Sequence, residues 1–283
     1  FGSSISPARL CCQSPAPGAW QGMRQSILRA AAAAVSGSAA APRLKLYQYA
    51  ICPFCNKTKA ALDFLRVPYA TVEVDPLTRS QIKFSKEYKK VPIGVFNEDE
   101  VVGDSTGIVD RVLADGAPAG PVSQDLDREH FLSSGAREWN KWCDEKFAVC
   151  VYPNITRSVS ECWQALGYLH SCPEFSSMRA LGIRSLGAVG MAAAHGKIKK
   201  KYGMEDERKA LSDVVDVWVA EVGGRPFRGG DKPDLSDLAV FGCVRGINRL
   251  PLYAELTKHE GFGPWMSRVE KALALEAEAQ ATP

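Results

Sequence analysis

Leu44, Leu46, Tyr47 and Tyr49 make a short apolar, β-prone run that stops at Cys52. From Pro53 the period changes. Ala60, Ala61, Phe64 and Leu65 recur at helical spacing, with Lys57, Lys59 and Asp63 between them. Proline suits a first helical turn because its missing N–H would have no intrahelical partner. A second β-type run, Tyr69 to Val74, precedes a stretch from Arg79 to Tyr88 that reads as a helix. Val91 to Phe96 reads as a strand, Asn97-Glu98-Asp99 as its turn, and Val101-Val102 as the return strand. Asp104-Ser105 then opens a helix carrying Ile108, Val109 and Val112. The order β-α-β-α-β-β-α predicts an α/β unit: a mixed sheet with helices on both faces.

Beyond residue 126 the periodicity is helical throughout. Phe131, Trp139, Trp142 and Phe147 mark one long amphipathic helix ending near Pro153. Further helices are predicted over 160–170, 175–202, 205–222, 235–248 and 264–277. Asp234 and Asp237, three apart before Leu238-Ala239-Val240-Phe241, read as a capping-box variant that serves folding. The organisation expected is a leader over 1–42, an α/β domain over 43–115, a linker over 116–125, an all-α domain over 126–276 and a tail over 277–283. The leader is rich in Ala, Ser, Gly and Pro, with spaced arginines and no acid, a composition expected of a mitochondrial or plastid transit peptide.

The charge balance changes little outside that leader. The chain has 35 Lys and Arg against 32 Asp and Glu. Arg9, Arg24, Arg29, Arg43 and Lys45 lie in the first 50 residues, which leaves 30 bases against 32 acids in the rest. A near-neutral body argues against a nucleic-acid partner. No apolar run reaches the roughly 18 residues that span a bilayer. Nine cysteines in 283 residues do not make a disulfide scaffold. Cys143, Cys150, Cys162, Cys172 and Cys243 are scattered through helix-like sequence and read as small buried apolar residues.

Cys52-Pro53-Phe54-Cys55 carries the candidate chemistry. A cysteine reacts as its thiolate, and a free thiol with a pKa of about 8.5 is mostly protonated at neutral pH. The unpaired N–H groups and dipole of a helix N-terminus favour the anion. Cys52, at a strand–helix junction, is therefore the expected nucleophile. Cys55, one turn into the helix, can close a disulfide on it. A zinc site would need four ligands, and no second pair at suitable spacing is present, so no metal is expected. Val91-Pro92 lies where a thioredoxin fold places its proline loop. With that bond cis, the Val91 backbone would face the thiol and pair with a peptide-like ligand. Asp104-Ser105, capping the next helix, would leave N–H groups for a carboxylate.

The order CPFC, VP, DS resembles the glutaredoxin and glutathione transferase superfamily. Several stretches are similar, more closely, to the type 2, membrane-associated prostaglandin E synthase family. They include Leu46-Tyr47-Gln48-Tyr49 with CPFC, Lys89-Lys90-Val91-Pro92-Ile93, Arg225-Pro226-Phe227 with Gly229-Gly230, and Lys232 to Val240. The resemblance spans about residues 44–274 and implies a thioredoxin-like domain followed by an all-α domain like the C-terminal domain of a glutathione transferase. It implies Cys52 as catalytic thiol, with Tyr49 donating a hydrogen bond near it. Phe54, Val91, Pro92, Asp104 and Ser105 would line a glutathione site. Haem alongside glutathione, an apolar small-molecule substrate, peripheral membrane contact and a homodimer are further implications. The implied activity is isomerisation of a prostaglandin-type endoperoxide. The alternatives are glutathione-dependent disulfide reduction or transfer, and a non-catalytic glutathione-binding subunit of an organellar complex. The leader points to a mitochondrion or plastid and the resemblance to membrane association, with the cytoplasm as the alternative.

Overall fold

A computed structural model describes residues 43–114 and 126–278, all within one compact unit. The leader, the linker and the last five residues, on which three of the expectations above fall, lie outside the described residues.

The first part is a four-stranded sheet in the order β2-β1-β3-β4. β1 (Leu44–Gln48) runs parallel to β2 (Ala70–Glu73) and antiparallel to β3 (Ile93–Phe96), which pairs antiparallel with β4 (Glu100–Gly103). Helix α1 (Pro53–Phe64) forms the crossover between β1 and β2. Helix α2 (Ser105–Leu113) follows β4, packs beside α1 and sets Ile108 against the Leu44–Phe96 face. Gly94 is required there, since a Cβ would stand 3.2 Å from Ile108 and 3.3 Å from Leu44 and Phe96.

The other face differs from expectation. Where a helix was predicted over 79–88, the chain makes a single 3-10 turn, Ser80–Ile82. The Asp75 carboxylate accepts the N–H groups of Leu77 and Thr78, which closes a local turn in place of a helical one. Arg79 sits at φ 51°. Ile82 and Phe84 stand two apart, so a helix here would turn them to different faces, and Phe84 with Tyr88 alone would make a short apolar stripe. Of the three, Ile82 is the one that is buried, and Phe84 meets Tyr47 edge-on with ring centroids 5.0 Å apart.

The second part is all helical. The long helix expected from Phe131 to Pro153 is present as an unbroken helical run over 134–151, in which a π-turn over Cys143–Phe147 joins α4 (Ser134–Trp142) to α5 (Ala148–Val151); Phe131 instead ends a separate short helix, α3 (Arg128–Phe131). The remaining helices are α6 (Val159–Ala165), α7 (Ser177–Lys201), α8 (Glu207–Val222), α9 (Leu235–Arg245), α10 (Pro251–Thr257) and α11 (Phe262–Glu278). Trp139, Trp142 and Phe147 converge with Trp218, Phe262 and Trp265 in one aromatic core, at centroid separations of 4.8 to 6.2 Å.

The start of α9 is closed as predicted. Asp234 accepts from the N–H groups of Ser236 and Asp237, and Asp237 accepts from that of Asp234. Asp237 also takes the N–H groups of Arg228 and Gly229 and the Trp265 indole N–H. Arg228 pairs with Asp234. All eleven residues of α9 are buried, and the helix lies directly on α1.

The expected organellar, membrane-associated location is corrected here. Among the described residues no helix is long and apolar enough to cross a membrane. The chain has instead a thioredoxin-like sheet followed by a helical bundle, the fold of glutathione transferases.

Candidate thiol site

Cys52 is the N-cap of α1, half-buried, with no side-chain cap hydrogen bond and Pro53 in the first helical position. Its loop is held from three sides. Cys52 N donates to Tyr49 O at 2.9 Å. Asn56 Nδ2 donates to Ala50 O at 2.7 Å and Cys52 O at 2.9 Å. The Glu73 carboxylate accepts the Ala50 N–H at 3.0 Å.

The two thiols of the motif are not equivalent. Cys55 is fully buried, in a cluster with Val74, Ile82, Val91, Ile93 and Val95 against which Cys52, Tyr47, Tyr49 and Tyr88 pack. The Cys55 S–H donates to Cys52 and, against the cost of burial, lowers its pKa below the ordinary thiol value. The N–H groups of Cys55 and Phe54 and the charge of Lys59 act in the same direction. Burial, followed by that same hydrogen bond, holds Cys55 well above it. The site therefore has one sulfur suited to be a thiolate and one suited to remain a thiol. Both are free.

The remaining sequence-predicted residues fall as follows. Val91-Pro92 is cis, and Pro92 O accepts the Asp104 N–H at 3.3 Å, which ties this turn to the start of α2. Asp104 is the N-cap of α2 at φ 74°, ψ 145°, and its carboxylate accepts the Thr106 N–H. A non-glycine residue at that φ carries strain of about 1–3 kcal/mol, of a kind that collects at functional sites. Ser105 is fully buried, and its Oγ has no hydrogen-bond partner among the described residues. Phe54 is half-buried in the first turn of α1. Burial raises the pKa of Tyr49, and the Arg79 guanidinium, hydrogen-bonded to its hydroxyl, opposes the shift. The donor to Cys52 Sγ here is Cys55, and the Tyr49 hydroxyl is engaged by Arg79.

Sequence reasoning missed several groups. Tyr88 packs against the Cys55 cluster and is pushed up to about 12, first by burial and then by the charges of Asp104, Cys52, Cys55 and Asp144. Gly103 makes room for it, since a Cβ there would stand 2.5 Å from Tyr88 Cγ. Glu73 is buried and pushed up to about 7, chiefly by desolvation, with Ala50, Tyr168 and Lys59 opposing. Lys57 and Lys59, which alternate with apolar positions as a solvent face would, are both buried. Lys57 Nζ reaches Asp144 in the π-turn at 2.6 and 2.7 Å. Burial raises the Asp144 pKa in spite of that partner.

The expectation of haem finds no support among the described residues. Among the described residues no cluster of His, Cys, Asp or Glu is placed to hold a metal ion. His195 is committed to Thr156 Oγ1 at 3.2 Å and lies 4.0 Å from Glu207. A cavity of about 410 Å³ lined by Phe64, Phe131, Phe227 and Arg268 opens at the far end of α1 from Cys52, away from the thiol site.

Residues 46–119 match the family model for the glutathione S-transferase N-terminal domain. The chain is 32% identical to prostaglandin E synthase 2 of Mus musculus, covering 82% of this chain and 70% of that one. It is 30% identical to prostaglandin E synthase 2 of Danio rerio, covering 81% and 71%. Among solved structures it resembles the beta-etherase LigF of Sphingobium sp. strain SYK-6, with a TM-score of 0.55 at 18% identity over 84% of this chain and 99% of that one. Human glutathione transferase theta-2, solved in complex with glutathione and an unknown ligand, gives a TM-score of 0.54 at 15% identity, over 84% and 85%. At such identities the two structures speak for the fold alone.

Proposed function

The chain belongs to the prostaglandin E synthase 2 family, and from that premise we propose that it is a glutathione-dependent thiol enzyme whose main reaction is thiol–disulfide exchange at Cys52. The observation that carries this reading is the asymmetry of the pair. A half-exposed sulfur with a lowered pKa sits at an uncapped helix start, and a buried, protonated sulfur lies behind it.

The Cys52 thiolate attacks the glutathione sulfur of a mixed disulfide. A Cys52–glutathione disulfide forms, and the substrate leaves as a thiolate that takes up a proton. A second glutathione then attacks, releases oxidised glutathione and restores the Cys52 thiolate. In a dithiol branch Cys55 gives up its proton, displaces glutathione and closes a Cys52–Cys55 disulfide, which two glutathiones reopen. Val91 would pair through its backbone with the peptide-like body of glutathione. Asp104 and Ser105 would hold its γ-glutamyl end, and Phe54 would cover it. The buried, unpartnered Ser105 Oγ and the strained Asp104 backbone support that placement. Tyr88, kept protonated, would offer an O–H beside the reacting sulfur.

The name of the curated relatives favours a second reading, isomerisation of a prostaglandin-type endoperoxide. There the Cys52 thiolate attacks one oxygen of the O–O bond while a base takes the proton from the neighbouring carbon. The S–O bond then breaks to release the thiolate, with no net electron transfer. This route needs a donor for the developing alkoxide, for which Tyr49 and Tyr88 are the candidates, and it does not need Cys55.

Purified protein assayed with glutathione against a glutathionylated peptide and an endoperoxide separates these readings. The expected result is peptide reduction by the wild type and its loss in Cys52→Ser. Endoperoxide turnover without peptide reduction, unaffected by Cys55→Ser, would replace the first reading with the second. Glutathione binding with neither reaction would mark a non-catalytic binding subunit.

A further inference from the structure

Two cysteines outside the thiol site have their sulfurs in direct contact. Cys143 opens the π-turn and Cys243 lies inside α9, and their sulfurs are 3.6 Å apart in the protein interior. Both side chains are fully buried. Each is the chain neighbour of a residue that grips Lys57 of the thiol helix. Asp144, after Cys143, pairs with Lys57 Nζ at 2.6 Å. Gly242, before Cys243, lies so close to the Lys57 backbone that a Cβ would stand 2.5 Å from Lys57 Cα.

We propose that Cys143 and Cys243 form a second, structural disulfide that rivets the π-turn to α9 behind the thiol helix. A disulfide bond is about 2.05 Å long, so the sulfurs must approach by roughly 1.5 Å, a movement of two side chains already facing each other. The oxidant is a small disulfide such as oxidised glutathione. One cysteine, as its thiolate, attacks it and releases one glutathione. The other attacks the resulting mixed disulfide and releases the second, and the two thiol protons end on the two glutathiones. Burial and the hydrogen bond with Cys143 hold Cys243 well above the ordinary thiol range. Exchange therefore waits for the helical part to open, and the pair oxidises more slowly than Cys52 and Cys55. Once closed, the bond joins residues 100 apart and restrains the unfolded chain. The inference does not depend on what the enzyme turns over.

The test is to incubate the full chain with oxidised glutathione, quench in acid, alkylate without reduction and map peptides by mass. The expected product is a linked pair of peptides carrying Cys143 and Cys243, lighter by two hydrogens and appearing after the Cys52–Cys55 link. In a Cys52→Ser, Cys55→Ser background, oxidation should raise Tm by several degrees, and adding Cys243→Ala should abolish the rise. Alkylation of both Cys143 and Cys243 that persists to the end of a long incubation, with Cys52 and Cys55 long since fully linked, would overturn the proposal. So would a stable glutathione adduct on either residue, or complete linkage with an unchanged or lower Tm. The mass map uses unmutated protein, so the answer does not depend on the variants folding.

Discussion

At the N-terminus of α9 two aspartates, an arginine and an indole satisfy one another and the first-turn N–H groups. At the N-terminus of α1 the N-cap is a cysteine with no side-chain cap bond, and the first turn has no acid. The two helices lie against each other, but the start of α9 is fully buried whereas Cys52, Pro53 and Phe54 at the start of α1 are half-exposed. A closed helix start stabilises the fold. An open one leaves its N–H groups and dipole to a sulfur anion, and the loop must be braced from elsewhere, here by Glu73 and Asn56.

Substitution at either helix start tests that contrast. Cys52→Ser should lose disulfide exchange by about a thousandfold or more while leaving the thermal unfolding midpoint nearly unchanged. Asp237→Ala should do the reverse. It strands the Trp265 indole N–H and the N–H groups of Arg228 and Gly229 in the interior, at a cost of about 3–4 kcal/mol in urea unfolding. The alkylation rate of Cys52 in the folded fraction should not change. The brace comes next. Folding raises the Glu73 pKa from 4.5 to about 7, so across that range the folded chain holds a proton the unfolded chain has lost. Stability should therefore be greatest below pH 4.5 as far as this group is concerned, and fall by up to about 3 kcal/mol as pH rises to 7. Glu73→Gln should remove that slope from a series of unfolding curves. The smallest effect is the most pointed: Cys52→Asp should gain about 1 kcal/mol over Cys52→Ala, because a cap replaces a thiol. No gain would mean that the start of α1 is not open in the sense argued here.

What the sequence made legible was local. Strand, Cys52, Pro53 and helix follow one another within a dozen residues, and Asp234 and Asp237 cap each other three apart. The misreadings needed information from distant chain. The Asp75 carboxylate, anchored by Arg179 of α7, turns the chain before a helix over 79–88 can start. The π-turn adds one residue to a turn without changing the apolar residues around it, so Trp142 and Phe147 look like one continuous stripe. Lys57 reads as a solvent-face residue because α9, which lies against it, is about 180 residues further on. Tyr88, between lysine-rich sequence and a proline, carries no local mark of its place beside the thiols. Helix α10, seven residues from Pro251, is too short for periodicity to declare itself.

Eight consecutive residues of α1, Cys55 to Leu62, are buried, a run that leaves the helix no outward side. A helix packed on a sheet alone would keep one side in water. The half carrying the reactive sulfur is thus not a cassette that could be lifted out and grafted elsewhere. Severed from the bundle, it would expose Ala60, Ala61 and Leu62 or turn them at random, and the Lys57 ammonium would lose the carboxylate that fixes its direction. Sheet and bundle stand as one architecture, with the thiol helix as its shared wall.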